Sequence, residues 1–255
     1  MELGLCTISN KGAPVEDVLA VAADTGYDAV EIWGRDHAGD GSTATCDRIV
    51  DRAAELGVEI AVYGSYLAPG TDGFATDVER ELAVADRLNA DLIRVWPGES
   101  EYEECTETEW DRAVADLSEL ADRAGAFDVG VTVEKHGGRL TNAQAGARRL
   151  IEAVDDPNCG LNWQPRFDRP AADLLSEAER LAPLSNNVHL QAVAARGDDE
   201  RCLLADAYFD VEAVLGRFDA AGFDGAVEVE FVSPAVDYGT AVRRDYEFLR
   251  SIVGH

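Results

Sequence analysis

Glu134, His189 and Glu230 each close, or lie within, a short apolar run of the sequence. Carboxylates and imidazole are the side chains that exchange protons near neutral pH. His136 follows Glu134 by two positions, so on a continuing strand it would share that face and could polarise a substrate hydroxyl. Three of the four Trp, namely Trp33, Trp96 and Trp163, end other apolar runs. Converging at one place, they would make an apolar wall for a sugar-like ring or chain. Basic residues are scarce, yet Lys135, Arg139, Arg166, Arg169, Arg196 and Arg35 come just after these runs. Amid excess carboxylate they would form a positive island that draws in an anion, a sugar phosphate or a sugar acid.

These residues form one site only if a fold gathers the ends of the runs. Apolar runs at 3–6, 28–33, 58–63, 92–96, 130–134, 159–163, 188–191 and 226–231 alternate with helical patterns at 14–24, 46–56, 77–88, 107–123, 142–154, 171–181, 211–221 and 240–252. That alternation is the mark of βα units. Gly26, Gly57, Gly125 and Gly222 stand between helix and strand, where a C-cap needs positive φ. Eight units in 255 residues predict a single (β/α)8 TIM barrel spanning the chain, with its chemistry at the C-terminal ends of the strands. A doubly wound sheet would usually open with a glycine-rich phosphate loop, and no such motif occurs. Strand parity adds a layer beneath the site. If Trp33, Trp96, Glu134, His189 and Glu230 point inward, so do Glu31, Arg94, Thr132, Asn187 and Glu228. A buried carboxylate needs a partner, so Arg94 should pair with Glu31 or Glu228 in a supporting role.

Composition narrows the function classes. Asp plus Glu number 50 against 22 Lys plus Arg, a formal charge of -28, while 46% of residues are hydrophobic. A disordered acidic chain would lack that apolar content. The excess of negative charge argues against nucleic acid as a partner. Only Lys11 and Lys135 are lysines. Few lysines and a spread of carboxylates resemble proteins of salt-accumulating, haloarchaeal-type organisms, where an acidic surface keeps the chain soluble in screening salt. No apolar run is long enough for a membrane span, and no cationic stretch precedes an apolar core, so a cytoplasmic protein is expected. The five Cys are dispersed and read as reduced, small, buried residues. A homo-oligomer is compatible with all of this.

The motifs resemble a known family. Residues 133–138, 160–165, 188–190 and 224–230, with the opening segment 26–33, come in the order and spacing of the xylose-isomerase-like TIM barrels, described as sugar phosphate isomerases and epimerases. The resemblance spans nearly the whole chain. It implies a divalent metal held by residues of the last four strands, which here are Glu134, Gln164, His189 and Glu230. Mixed carboxylate and imidazole donors with open positions suit Mn, Mg or Co. The metal would bridge two sugar oxygens, and Glu134 and Glu230 would move the proton between carbons. The implied activity is isomerisation or epimerisation of a small polyhydroxylated keto compound. A keto-polyol dehydratase begins with the same proton abstraction and is the alternative within the class.

The chain departs from the family pattern at three positions: Gln164 replaces the usual ligand Asp, Phe167 a frequent His, and Ala192 a frequent Asp. Gln brings a carbonyl oxygen but no charge. A barrel that binds a sugar-like ligand without turnover is thus the reading from another class. A DNA-repair endonuclease of the same superfold would need several metals and many His; four His and the negative charge oppose it. His37 is expected to be a solvated loop residue and His255 a disordered terminus.

Overall fold

The computed structural model describes residues 1–253; His255 lies outside them. Eight parallel strands close into a barrel in chain order. They are β1 (Glu2–Cys6), β2 (Ala29–Trp33), β3 (Glu59–Gly64), β4 (Leu92–Val95), β5 (Gly130–Glu134), β6 (Cys159–Trp163), β7 (Ser185–Leu190) and β8 (Ala226–Val229). An α-helix follows each: α1 (Val15–Thr25), α2 (Thr43–Leu56), α3 (Phe74–Arg87), α4 (Glu107–Gly125), α5 (Gln144–Val154), α6 (Ala171–Leu181), α7 (Val211–Ala220) and α8 (Tyr238–Val253). This is the expected single (β/α)8 barrel. Among the described residues no helix is long and apolar enough to cross a membrane.

Local chemistry explains the boundaries. Thr106 and Glu109 form a reciprocal capping box that starts α4, and Ala113, Leu117, Leu120, Ala121 and Ala124 give it one buried face. Gly26 ends α1 with φ of 106°, its N–H bonded to the carbonyls of Ala22 and Ala23. Gly125 does not play the expected capping part. It is the last residue of α4, and the left-handed turn falls on Asp128, with φ of 57°.

Strand alternation sorts the side chains into two interiors. Val131, Val133, Leu161, Val188, Leu190, Val227 and Val229 are fully buried between strands and helices. The opposite parity fills the barrel axis with polar groups: Glu31, Arg94, Thr132, Asn162, Asn187 and Glu228, all buried. Two glycines make room for them. A Cβ on Gly64 would meet Arg94 Nη2 at 2.8 Å and would overlap Glu31, and one on Gly4 would lie 2.6 Å from Glu228 Cγ.

Candidate active site

Six strand ends build the mouth. β5 carries Glu134 on its inner face, and β4 carries Arg94 beside it, two residues below Trp96. Arg94 Nη1 and Trp96 Nε1 both donate to Glu134 Oε2. Arg94 Nε also donates to Glu31 Oε1 at 3.1 Å, which realises the ion pair expected from parity and extends it to Glu134. Gln164, just beyond β6, donates from Nε2 to Glu134 Oε1 at 2.5 Å. Gln191, just beyond β7 and on the inner parity of His189, donates to Gln164 Oε1 at 3.1 Å and also to Glu230 Oε2. Arg201 Nε donates to Gln191 Oε1 at 2.5 Å. A chain of hydrogen bonds therefore links Glu134 to Glu230 through two amides.

His189 occupies the centre. Its Nε2 lies 2.8 Å from Glu31 Oε2, 3.5 Å from Glu228 Oε2 and 3.6 Å from Cys6 Sγ. Its Nδ1 is buried without a hydrogen-bond partner, 4.0 Å from Glu230 Oε2. Asn187 Nδ2 donates to the same Glu228 oxygen at 2.8 Å.

Environment separates the two mouth carboxyls. Burial would push Glu134 up, but Arg94, with His189 and Trp96 adding to it, more than compensates and holds it below the usual carboxylate range. Burial raises Glu230 to about 7, the His189 ring only partly opposing it. Burial likewise raises Glu228, whereas Glu31 is held low against its own burial by Arg94 and His189. Desolvation would lower His189, yet the acidic partners around it raise it well above its usual value.

One wall of the mouth is aromatic. Trp33 Nε1 donates to the Tyr66 hydroxyl at 2.7 Å, the Tyr66 ring stands edge-on to Trp96 at 4.9 Å, and the His136 ring follows at 5.0 Å from Trp96. Arg35 lies over Tyr66 and Arg139 over Trp96, 4.0 and 5.3 Å from the ring centres. Across from them, Arg201 sits between Phe167 and Phe231, 5.0 and 5.6 Å away.

Two expected members of the site are elsewhere. Trp163 ends β6 on the outer parity; it is fully buried and meets the Phe218 ring of α7 at 5.5 Å, inside the helix layer. Lys135 is fully buried too, with Nζ 2.9 Å from Glu177 Oε1 of α6 and 3.4 Å from the Gln164 carbonyl. Both errors have one cause. Neighbours on a strand face opposite ways, so standing next to Glu134 sends Lys135 away from the mouth, and the same rule puts Trp163 opposite to Asn162 and Gln164. Burial lowers the Lys135 ammonium, with Glu177 opposing it. Arg166 is held by Asp168 at 3.1 Å and by the Asn142 carbonyl at 3.2 Å, and Arg196 is exposed in the loop after β7. His136 Nδ1 lies 2.6 Å from the Gly137 carbonyl, so its ring serves the wall through its position by Trp96. His37 is buried rather than solvated: Nε2 contacts the Ala13 carbonyl at 3.1 Å and the ring stands edge-on to Trp33.

Three donors of the expected metal set gather: Glu134, His189 and Glu230 can each place one ligand atom within 4.8 Å of the others. The fourth does not fit. Gln164 turns its amide N–H, a donor, to Glu134, and its carbonyl oxygen is engaged by Gln191. The guanidinium of Arg94 already sits on the Glu134 carboxylate. Of the four expected donors, Glu134, His189 and Glu230 could hold a divalent ion, and Gln164 presents nitrogen rather than oxygen to Glu134.

The structure adds Gln191, Arg201 and Tyr66 to the site. Gln191 was accessible through parity, two residues past His189. Arg201 and Tyr66 lie on loops, and only the closed barrel brings them to the mouth.

Residues 19–252 match the family model described as xylose isomerase-like TIM barrel. The chain belongs to this family. It is 22% identical over 210 residues to a 3-dehydroshikimate dehydratase of Bacillus anthracis, covering 76% of this chain and 73% of that one. The crystal structure of a probable 3-dehydroshikimate dehydratase of the same organism, involved in petrobactin synthesis, superposes with TM-score 0.82 at 18% identity over 98% of both chains. A D-psicose 3-epimerase determined with D-fructose superposes with TM-score 0.81 at 16% identity over 100% of both. At such identities the structural likeness establishes the fold.

Proposed function

We propose that this family member is an enzyme that removes the proton beside a carbonyl of a small polyhydroxylated anion and returns it elsewhere on the same molecule, an isomerase or epimerase. The observation that carries the reading is the pair of mouth carboxylates, Glu134 and Glu230, tied into one hydrogen-bonded unit by Gln164 and Gln191. Positioned acid and base groups contribute about 10²–10⁴-fold each to such a step. Glu230, as the carboxylate, takes the proton from carbon, the C–H electron pair becomes a C=C bond, the carbonyl π pair moves onto oxygen, and an enediolate forms. Glu134, ionised beside Arg94, takes the proton of the adjacent substrate hydroxyl. In isomerisation it passes that proton to the enediolate oxygen while Glu230 returns its own to the former carbonyl carbon; in epimerisation it delivers that proton to the opposite face of the original carbon while Glu230 returns its own to the hydroxyl oxygen, so both carboxylates end ionised. The aromatic wall of Trp33, Tyr66 and Trp96 shelters the apolar face of the substrate, and Arg139 on that wall and Arg201 across from it give the mouth the positive charge that draws an anion in.

Dehydration is the second reading, favoured by the sequence match to a dehydratase. The same enolate would expel a β-hydroxyl, which leaves as water with the proton held by Glu230.

One experiment separates the readings. The chain is incubated in D₂O and concentrated KCl with D-psicose, L-ribulose, their phosphates and 3-dehydroshikimate in turn. Deuterium at the carbon beside the carbonyl, with a rearranged product, supports the first reading. A rise in ultraviolet absorbance from a conjugated product supports the second. Glu134→Gln and Glu230→Gln should each slow exchange by roughly 10²–10⁴-fold with the circular dichroism unchanged. Exchange at the wild-type rate in both folded variants would refute the assignment of the carboxylates.

A further inference from the structure

We infer that this barrel works without the divalent ion that its fold family's motif implies, with Arg94 supplying fixed positive charge and residue 164 acting as a hydrogen-bond donor. The inference comes from the direction of the hydrogen-bond chain Arg201, Gln191, Gln164, Glu134. A guanidinium can only donate, and an ionised carboxylate can only accept. The two amides between them therefore have one satisfactory orientation each. Gln191 must turn Oε1 to Arg201, which leaves its Nε2 for Gln164 Oε1 and Glu230 Oε2. Gln164 must then turn Nε2 to Glu134. Reversing Gln164 alone would set its carbonyl oxygen against Glu134 Oε1 across 2.5 Å and its NH₂ against that of Gln191 across 3.1 Å. Reversing both would set the Gln191 NH₂ against Arg201 Nε across 2.5 Å. Each reversal replaces hydrogen bonds by like-to-like contacts, at the buried Gln164 and Gln191 amides or at the half-buried Arg201. The amide orientation is thus fixed from both ends, and it is opposite to the one that metal ligation by Gln164 requires.

Charge points the same way. Both oxygens of Glu134 already accept N–H donors, from Arg94 and Trp96 on one and Gln164 on the other. A divalent ion on that carboxylate would stand beside the Arg94 guanidinium, which is buried and also fixed by Glu31. His189 Nδ1 remains bare, but one ring nitrogen does not replace a lost anionic ligand. Glycine at position 64 is what lets Arg94 and Glu31 meet beneath the mouth. This holds whichever reaction the site carries out.

The test uses the full chain, dialysed against EDTA and then titrated with Mn²⁺ in about 2 M KCl, where adventitious binding to the acidic surface is screened to within a few ångströms. Free Mn²⁺ is read by electron paramagnetic resonance and stability by thermal melting. The wild-type chain should take up no stoichiometric Mn²⁺ at 100 µM or so and should melt at the same temperature with Mn²⁺ or EDTA. Gln164→Asp restores an anionic ligand and breaks the amide chain; it should bind one Mn²⁺ at least about tenfold more tightly and melt higher in its presence. Gln164→Glu serves as the second variant should the first fail to fold. Stoichiometric Mn²⁺ in the wild-type chain overturns the inference, as does equal Mn²⁺ uptake by the wild-type chain and the folded acidic variant.

Discussion

Asp245→Asn should stabilise the protein at pH 8 and leave it nearly unchanged at pH 4. Asp245 lies on α8, only 1% exposed, and its Oδ1 accepts the Leu204 N–H at 2.8 Å. Its Oδ2 is buried without a partner. Burial, with Asp206 adding like charge, raises this carboxyl from 3.8 to about 7. Because the folded value is the higher one, the contribution of this group is fully present below pH 3.8 and is lost progressively as pH rises through about 7. Above that window the folded chain bears an ionised carboxylate that it holds poorly. The gap corresponds to at most about 4 kcal/mol. Asn keeps the acceptor for Leu204 and carries no charge, so the advantage of the variant should grow between pH 4 and 7 and then level off. For a chain of this size that is roughly 2–4 °C of melting temperature per kcal/mol. Urea unfolding at pH 4.5, 6 and 8 in concentrated KCl measures it. An equal difference at all three values, or a variant less stable at pH 8, would refute the reasoning. The contact also has a bearing on the mouth, since Leu204 belongs to the same loop as Arg201.

Gly64→Ala should cost about 1–3 kcal/mol, because the added methyl forces apart the Glu31 and Arg94 side chains, and chemical denaturation will show it. Lys135→Met alone should cost about 3 kcal/mol by leaving the half-buried Glu177 carboxylate without its partner, whereas Lys135→Met with Glu177→Leu should come within about 1 kcal/mol of wild type. Equal losses in the single and double variants would show that the pair is not what the site requires. Trp163→Ala should lower stability by about 3–5 kcal/mol without changing ligand affinity of the folded fraction, while Trp96→Ala should weaken the ligand; calorimetric titration after confirming the fold distinguishes them.

The alternation of apolar runs with helical periodicity determined the barrel, because strand and helix patterning are local and repeat along the chain. Parity along a strand is local as well, and it placed Arg94 beside Glu31 in the barrel axis. The same parity sends Lys135 and Trp163 to the helix layer and brings Gln191 to the mouth. The helix ends were less legible. Gly125 has the residue type of a cap, but α4 has enough packed surface to run through it, and the turn passes to Asp128. What no linear reading could supply was who meets whom across the mouth. Arg201 is 67 residues from Glu134 in sequence, yet it sets the orientation of both amides that lead to that carboxylate. The amino-acid sequence names donors and acceptors by type; only barrel closure aligns a group that must donate with one that must accept and so decides whether Gln164 presents oxygen or nitrogen.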